Sequence, residues 1–398
     1  MSALRSAAEA TDRIVIVGGG FGGLYTALNL AERRHHPPVL LIEPNERFLF
    51  LPLLYELLSG ELRPWEVAPT YPTLLAGRGV ALLQDRVVRI DAPGRCLHTA
   101  AGRRLEYGRL VIATGARSET FGVEGVDQHT LGFRNLADVD RLQQLVHELR
   151  SSGRRGQRLA VVGAGATGVE LACKLADLLG SNAAVALIEQ GDTVLPLAKA
   201  FNREQAQLAL ERRQVAVRLR SRVAAVGVDQ LRLRLDDGLE DLTVNGTIWT
   251  AGLRMQPPQL EPAANSDRLG RLLCHPDLRV QHCPAIFAIG DGAHVPADPD
   301  GDPNTPLPST AQVAFQQAPL LAANLLRSLA GEPLEPFRFR DLGEMLSLGC
   351  GDACLSGGGL TLAGPLAFQL RRLAYLTRLP GRAHQLRVAA GWLAERSP

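Results

Sequence analysis

The chain has 398 residues, which at ~150 per domain allows two to three domains. With 46% apolar and 21% charged residues it lies in the ordinary globular range, which excludes a disordered or collagen-like chain. Its 43 basic and 41 acidic residues leave a net charge of +2, so there is no chain-wide footprint for nucleic acid, and no nucleic-acid partner is expected. Lys174 and Lys199 are the only lysines, so guanidinium groups stand wherever an anion must be met. The six cysteines, Cys96, Cys173, Cys274, Cys283, Cys350 and Cys354, contain no C-x-x-C pair; a reducing compartment is expected, and neither a disulfide framework nor a metal site is.

Residues 1–12 mix charged and small side chains without the apolar core of a signal peptide, so the chain is expected to stay on the side where it is made. From Arg13 to Val17 runs a short apolar, β-branched stretch that leads into Gly18-Gly19-Gly20-Phe21-Gly22-Gly23 and then Leu24 to Leu30. This reads as strand, glycine turn and helix. In a dinucleotide fold Gly18 permits the tight turn, Gly20 lets backbone N–H groups approach a pyrophosphate, and Gly23 lets helix and strand pack closely. A second strand, Pro38 to Ile42, ends in Glu43, twenty residues past Gly23, where a carboxylate accepts both hydroxyl protons of an adenosine ribose.

The same grammar recurs. Arg158 to Val162 leads into Gly163-Ala164-Gly165-Ala166-Thr167-Gly168, then a helix from Val169, then a strand Ala184 to Ile188 ending in Glu189. Each unit also closes alike, Leu110 to Ile112 running into Ala113-Thr114-Gly115-Ala116 and Thr247 to Trp249 into Thr250-Ala251-Gly252. One glycine motif is weak evidence; a repeated strand, turn, helix and acid implies two Rossmann-like dinucleotide domains. Within the second unit Leu231 to Leu235 alternates strictly and stops at Asp236-Asp237-Gly238, a hairpin of the crossover sheet. After the second domain Ala285 to Ile289 reads as a buried strand ending in Gly290-Asp291. Ala353 to Leu370 is free of charge but is punctuated by Gly357, Gly358, Gly359, Gly364 and Pro365, so it reads as strands and a turn and not as a membrane span of ~20 residues.

With these motifs the chain resembles the two-dinucleotide flavoprotein superfamily and, within it, the type II NAD(P)H:quinone oxidoreductases. Phe50-Leu51-Pro52-Leu53-Leu54-Tyr55 is similar to the family's flavin-side segment, and Trp65 to Pro69 resembles the demethylphylloquinone reductase branch of cyanobacteria and chloroplasts. Ala311-Gln312-Val313-Ala314-Phe315-Gln316-Gln317-Ala318 resembles the family's quinone-site helix, with Ala318 where the family has glycine. The resemblance implies an α/β fold whose FAD domain, residues 1–118 and 266–342, is split by an NAD(P)H domain, 119–265, and followed by a membrane-association region, 343–398. It implies FAD held by Gly18, Gly20, Phe21, Gly22, Gly23, Glu43, Pro52, Leu53, Leu54, Val87, Thr114, Gly115, Gly290, Asp291, Ala311 and Gln312. NADH or NADPH falls to Gly163, Gly165, Thr167, Gly168, Glu189 and Gly252, and a membrane quinone to Glu170, Gln312 and Gln316.

Gln312 and Gln316 are four apart and share a helical face, so both amides can address one ligand edge; a solvent-facing polar stripe has the same spacing. Glu170 stands in the first turn of its helix, where it either relays a proton or holds the nicotinamide carboxamide, or only stabilises the helix N-terminus. The donor is open, because Glu189 repels a 2′-phosphate whereas the branch resembled implies NADPH and a demethylnaphthoquinone. Arg203, Arg212 and Arg213 are candidates to meet such a phosphate. From Pro365 onward leucines alternate with Arg371, Arg372, Arg378, Arg382 and Arg387, and residues 365–398 carry six arginines against Glu395. That pattern suits an anionic lipid surface, on the cytoplasmic face of a plasma or thylakoid membrane, or else helices packed on the body or in a homodimer. A sulfide:quinone oxidoreductase working through Cys173 with Cys350 or Cys354, and a redox-sensing NAD(P)H-binding flavoprotein, are the alternatives.

Overall fold

The computed structural model describes residues 12–394, and the repeat in the sequence becomes two sheets of one design. Residues 1–11, read above for a leader, and Glu395 and Arg396 of the tail lie outside the described residues. The chain divides into two units, one comprising the chain up to Phe48 with Ala68–Arg117 and Leu253–Arg340, the other comprising Leu49–Val67, Ser118–Gly252 and the chain from Asp341 onward.

In the first unit five parallel strands lie in the order Ile286–Ala288, Arg109–Ile112, Ile14–Val17, Val39–Ile42, Val80–Leu83. Ile14 to Val17 are buried on both faces, as a central parallel strand requires. Register sets Val17 level with Ile42 and Ile112, and Ile112 level with Ala288. The residues that follow, Gly18, Glu43, Ala113 and Ile289, therefore leave the sheet at one edge, where the strand order turns back on itself about the first strand. That is where open α/β sheets bind ligands. The helix Phe21–Ala31 packs with the helix Ala311–Ala330, the Tyr25 and Phe315 rings meeting edge-on at 5.0 Å. Val87 opens the strand Val87–Asp91 of a separate four-stranded sheet and is buried.

The second unit repeats the plan, with parallel strands ordered Ala216–Arg218, Ala184–Ile188, Arg158–Val162, Gly246–Trp249, Thr130–Leu131. Val162, Ile188 and Trp249 are level, so Gly163, Glu189 and Thr250 emerge together. The predicted hairpin is present, with Leu235 opposite Gly238 across Asp236-Asp237, in a three-stranded sheet that begins at Arg222–Val226.

The charge-free stretch folds as the strands Ala353–Gly357 and Leu360–Ala363, paired with Glu344–Ser347, but at Pro365 it enters the helix Pro365–Leu376. Proline at the first helical position and the helical spacing of the buried Ala367, Phe368, Arg371 and Tyr375 on one face account for the change. A second helix, Arg382–Ala394, follows. Among the described residues no helix is long and apolar enough to cross a membrane.

Candidate functional site

At the first unit's sheet edge the turn has no space for a side chain at Gly18 or Gly23 and open space at Gly20. Gly18 has φ +100°, and a Cβ there would lie 2.4 Å from the Ala113 carbonyl oxygen; at Gly23 it would lie 1.8 Å from Gly18 O. Around Gly20 there is nothing within 4 Å of the place a Cβ would take. Gly20 is the N-cap of Phe21–Ala31, with no side-chain cap and no acidic residue in the first turn, so the helix presents the leading amides of Gly22 and Gly23 to an anion's position. Glu43 is buried, its Oε2 accepting from Gly19 N–H at 2.7 Å and its Oε1 from Asn45 N–H at 3.0 Å. An ionised carboxylate has acceptor positions left for ribose hydroxyls. Tyr71 donates to Gly19 O at 2.9 Å from 52 residues away, a contact no local motif announces. These features fit the adenosine diphosphate half of FAD, which Gly20 and Glu43 would hold.

Gly115 and Gly290 have φ of +65° and +72°, in the left-handed region that favours glycine. The sharp turn at Gly290 is held by Gln317, 1% exposed, whose Oε1 accepts from Gly290 N–H at 2.9 Å. In sequence nothing separates Gln317 from its neighbour Gln316. Gln312 and Gln316 do share a half-buried face of the helix Ala311–Ala330, and Gln316 Nε2 approaches Gln312 Oε1 at 3.4 Å. The Gln316 amide is also closed on the Arg340 backbone, donating at 2.9 Å and accepting at 3.2 Å. Ala311 opens this helix behind the N-cap Thr310, and Ala318 is fully buried, so its methyl group sits within a packed face.

The second unit's edge matches the first. Gly163 has φ +101°, a Cβ at Gly168 would lie 1.8 Å from Gly163 O, and Gly165, an uncapped helix N-cap, again has open space around it. Glu189 Oε2 accepts from Ala164 N–H at 2.8 Å and Oε1 from Gly191 N–H at 2.7 Å. Gly252, φ +71°, closes on Phe121, whose ring a Cβ would meet at 2.4 Å. The site fits the adenosine diphosphate of a pyridine dinucleotide. The candidate phosphate-binding arginines are engaged elsewhere. Arg203 donates to the carbonyls of Leu195, Pro196 and Ala198; Arg213 pairs with Asp177 at 2.8 Å; Arg212 lies 3.7 Å from Asp352. Beside Glu189 the fold puts Arg218, whose carbonyl accepts from Glu189 N–H at 2.8 Å and whose side chain pairs with Glu240.

Glu170, on the helix Ala166–Leu179, is 7% exposed and lies in a polar cluster inside the second unit. Its Oε1 accepts from Ser347 N–H at 2.7 Å and stands 3.9 Å from Arg371 Nη2. The Tyr55 hydroxyl lies beside both Glu170 and Thr167. Burial pushes the Glu170 carboxyl up to about 7, against the pull of Arg371, Ser347 N–H and Tyr55, with Glu56 adding to the rise. At neutral pH this group is therefore poised to hold or release a proton. Arg371, grouped by sequence with the tail's surface arginines, is buried instead, because Glu56 takes its Nη1 and the Pro52 carbonyl its Nη2 at 2.6 Å. One turn below Glu170, Lys174 is fully buried and bonded to Glu61 Oε2 at 2.5 Å. Glu56, Arg371 and Lys174 escaped the sequence reading because their partners are remote in sequence; a charge in an otherwise apolar helix was the one available signal. Leu53 and Leu54 are buried in the same unit.

All six cysteines are free. Burial pushes the thiols of Cys173 and Cys354 up to about 12, so neither is a thiolate near neutrality.

Comparison with known proteins bears on this geometry. Residues 12–318 match the family model described as pyridine nucleotide-disulphide oxidoreductase. The chain is 39% identical to demethylphylloquinone reductase NdbB of Synechocystis sp. over 393 residues, 97% of this chain and 96% of that protein. It is 36% identical to alternative NAD(P)H-ubiquinone oxidoreductase C1, chloroplastic/mitochondrial, of Arabidopsis thaliana, covering 96% of this chain and 80% of the relative. Against type II NADH:quinone oxidoreductase Ndh of Mycobacterium tuberculosis it is 29% identical, covering 96% and 87%. In fold it is similar to NDH2 from Plasmodium falciparum solved with NADH, with a TM-score of 0.81 at 18% identity over 94% of this chain and 97% of that one. The sulfide:quinone oxidoreductase of Aquifex aeolicus shares the fold at a TM-score of 0.77 and 18% identity, over 91% and 89% of the two chains. Two nucleotide turns of one design, each with its acid bonded back onto the motif, and a family match across most of the chain give one conclusion: this chain belongs to the pyridine nucleotide-disulphide oxidoreductase family.

Proposed function

We propose that the protein is an FAD-dependent NAD(P)H:quinone oxidoreductase that reduces a naphthoquinone of the demethylphylloquinone class and pumps no protons. The carrying observation is the doubled nucleotide site, Glu43 bonded to Gly19 N–H and Glu189 to Ala164 N–H, in a chain 39% identical to a demethylphylloquinone reductase. The first unit holds FAD through Gly18, Gly20, Gly23, Glu43, Thr114, Gly115 and Asp291, and the second holds the pyridine dinucleotide through Gly163, Gly165, Thr167, Gly168, Glu189 and Gly252. When bound, the flavin accepts a hydride and passes two electrons on. The chain's own part is to orient ligands and to supply protons. Gln312 offers an uncharged amide toward a quinone carbonyl, with Gln316, closed on the Arg340 backbone, beside it on the same helical face, and Glu170 holds a proton in a site shielded from water.

NADH is the favoured donor, because two backbone amides fix the Glu189 carboxyl group at the ribose end while Arg203, Arg212 and Arg213 are committed elsewhere. Sulfide chemistry is disfavoured by the buried, protonated thiols of Cys173 and Cys354. Membrane attachment is peripheral. Leu366, Leu370 and Leu373 form an exposed stripe on one face of Pro365–Leu376, and Leu386 and Leu393 stand out from the helix that follows, with exposed Arg382 and Arg387 placed for anionic headgroups on the cytoplasmic side.

The test is steady-state turnover of the flavin-loaded protein with NADH and NADPH against naphthoquinones and benzoquinones. Quinone-stimulated oxidation with the higher kcat/KM for NADH and naphthoquinone is expected, and flavin reduction without an acceptor step would sink the reading in favour of a sensor. Glu189→Gln is expected to narrow the NADH to NADPH preference; an unchanged ratio removes Glu189 from the specificity argument.

A further inference from the structure

Three charged side chains, Glu56, Arg371 and Glu170, are buried together in the second unit, each from a different helix. One guanidinium faces two carboxylates and serves them unequally. Arg371 Nη1 bonds Glu56 Oε1 directly, while Nη2 is given to the Pro52 carbonyl and stays 3.9 Å from Glu170 Oε1. A direct, charge-assisted hydrogen bond binds a guanidinium more strongly than an approach beyond hydrogen-bond reach. Glu56 is completely buried and its Oε2 has no hydrogen-bond partner among the described residues, so local bonding alone does not account for a charge at this position.

The groups facing Glu170 come from its own helix and from three further elements. Thr167 and Cys173 share its helix; Tyr55 and Glu56 come from Leu54–Leu58, Arg371 and Tyr375 from Pro365–Leu376, Ser347 N–H and Cys354 from the sheet. Burial keeps the tyrosines and thiols protonated near neutrality. With burial raising the Glu170 carboxyl, Arg371 and Glu56 are the charged neighbours that act on it, in opposite directions.

We propose that Glu56 is a positioning residue for quinone reduction: by holding the Arg371 guanidinium on its own carboxylate, it leaves Glu170 able to take up and release a proton during turnover. This rests on the function proposed above. Conversion of NAD(P)H, a proton and quinone to NAD(P)⁺ and quinol moves two electrons; the hydride accounts for one proton of the quinol and water supplies the other. Glu170 carries that second proton and is recharged from solvent.

Glu56→Gln keeps the shape and removes the charge, leaving Glu170 as the carboxylate that Arg371 can pair with. Infrared titration of the flavin-loaded protein reads the consequence without turnover. The carboxylic C=O band absent from Glu170→Gln is expected to titrate at about 7 in the parent. In Glu56→Gln it is expected at least about one pH unit lower. The alkaline limb of kcat for quinone moves with it, lowering the rate at pH 8 about tenfold, while electron transfer to ferricyanide, which takes no proton, is unchanged. Glu56→Asp keeps the parent profile, and Glu56→Gln with Arg371→Gln returns the limb to the parent's pH or above. An unmoved C=O band in Glu56→Gln overturns the proposal. If the band moves but the parent reduces no quinone, the functional reading is what fails.

Discussion

Replacing Glu170 by glutamine removes a titratable group whose carboxyl sits at about 7 in the native protein against 4.5 for an ordinary glutamate. Because the folded value is the higher one, the native state binds the proton more tightly, and stability falls as pH rises through the window between the two values. At ~1.4 kcal/mol per unit, the ionised side chain costs the fold about 3 kcal/mol at pH 8 and only about 1 kcal/mol at pH 5. Glutamine keeps an oxygen for the Ser347 N–H and avoids that cost. Relative to the parent, Glu170→Gln should therefore gain about 2 kcal/mol more at pH 8 than at pH 5, or a further rise in Tm of roughly 4–8 °C for a unit of this size. Thermal melts of both proteins at the two pH values check it. An equal change at both, or a larger gain at pH 5, refutes the claim that burial sets the proton affinity of Glu170. A stable variant with impaired quinone turnover would mean that the glutamate is kept at the expense of stability.

Arg371→Leu strands Glu56 without its cation inside the second unit and is expected to cost about 3–5 kcal/mol, with Glu56→Gln added to Arg371→Leu recovering most of it; urea unfolding reads both. The two glycines of one turn should behave differently. Gly23→Ala puts a Cβ 1.8 Å from Gly18 O and is expected to prevent folding of the first unit, whereas Gly20→Ala meets nothing and should fold yet bind FAD at least tenfold more weakly, measured by flavin retention on dialysis. Leu370→Asp with Leu373→Asp breaks the exposed stripe of Pro365–Leu376 and should abolish flotation with anionic vesicles while leaving NADH:ferricyanide activity unchanged; retained flotation would move the attachment elsewhere.

What could be read from the chain alone was set by local physics. A glycine turn, a carboxylate at fixed distance after it and an alternating hairpin are short-range devices, and the repetition of the first two marks two nucleotide domains in the sequence. Glu43 and Glu189 needed no more than that, since each bonds back onto its own motif. Tertiary structure decided what the polar side chains are for. Gln317, adjacent to the glutamine read as a quinone ligand, turns inward to hold Gly290, because a rotation of one residue along a helix moves a side chain from one face to another. Arg371 looked like one more arginine of a basic tail, but its partners Glu56 and Pro52 lie more than 300 residues away, and no periodicity encodes a pairing of that separation. Burial does the rest. The same carboxylate that sequence could equally read as a helix-end charge becomes, once enclosed with a guanidinium committed elsewhere, a proton carrier at neutral pH.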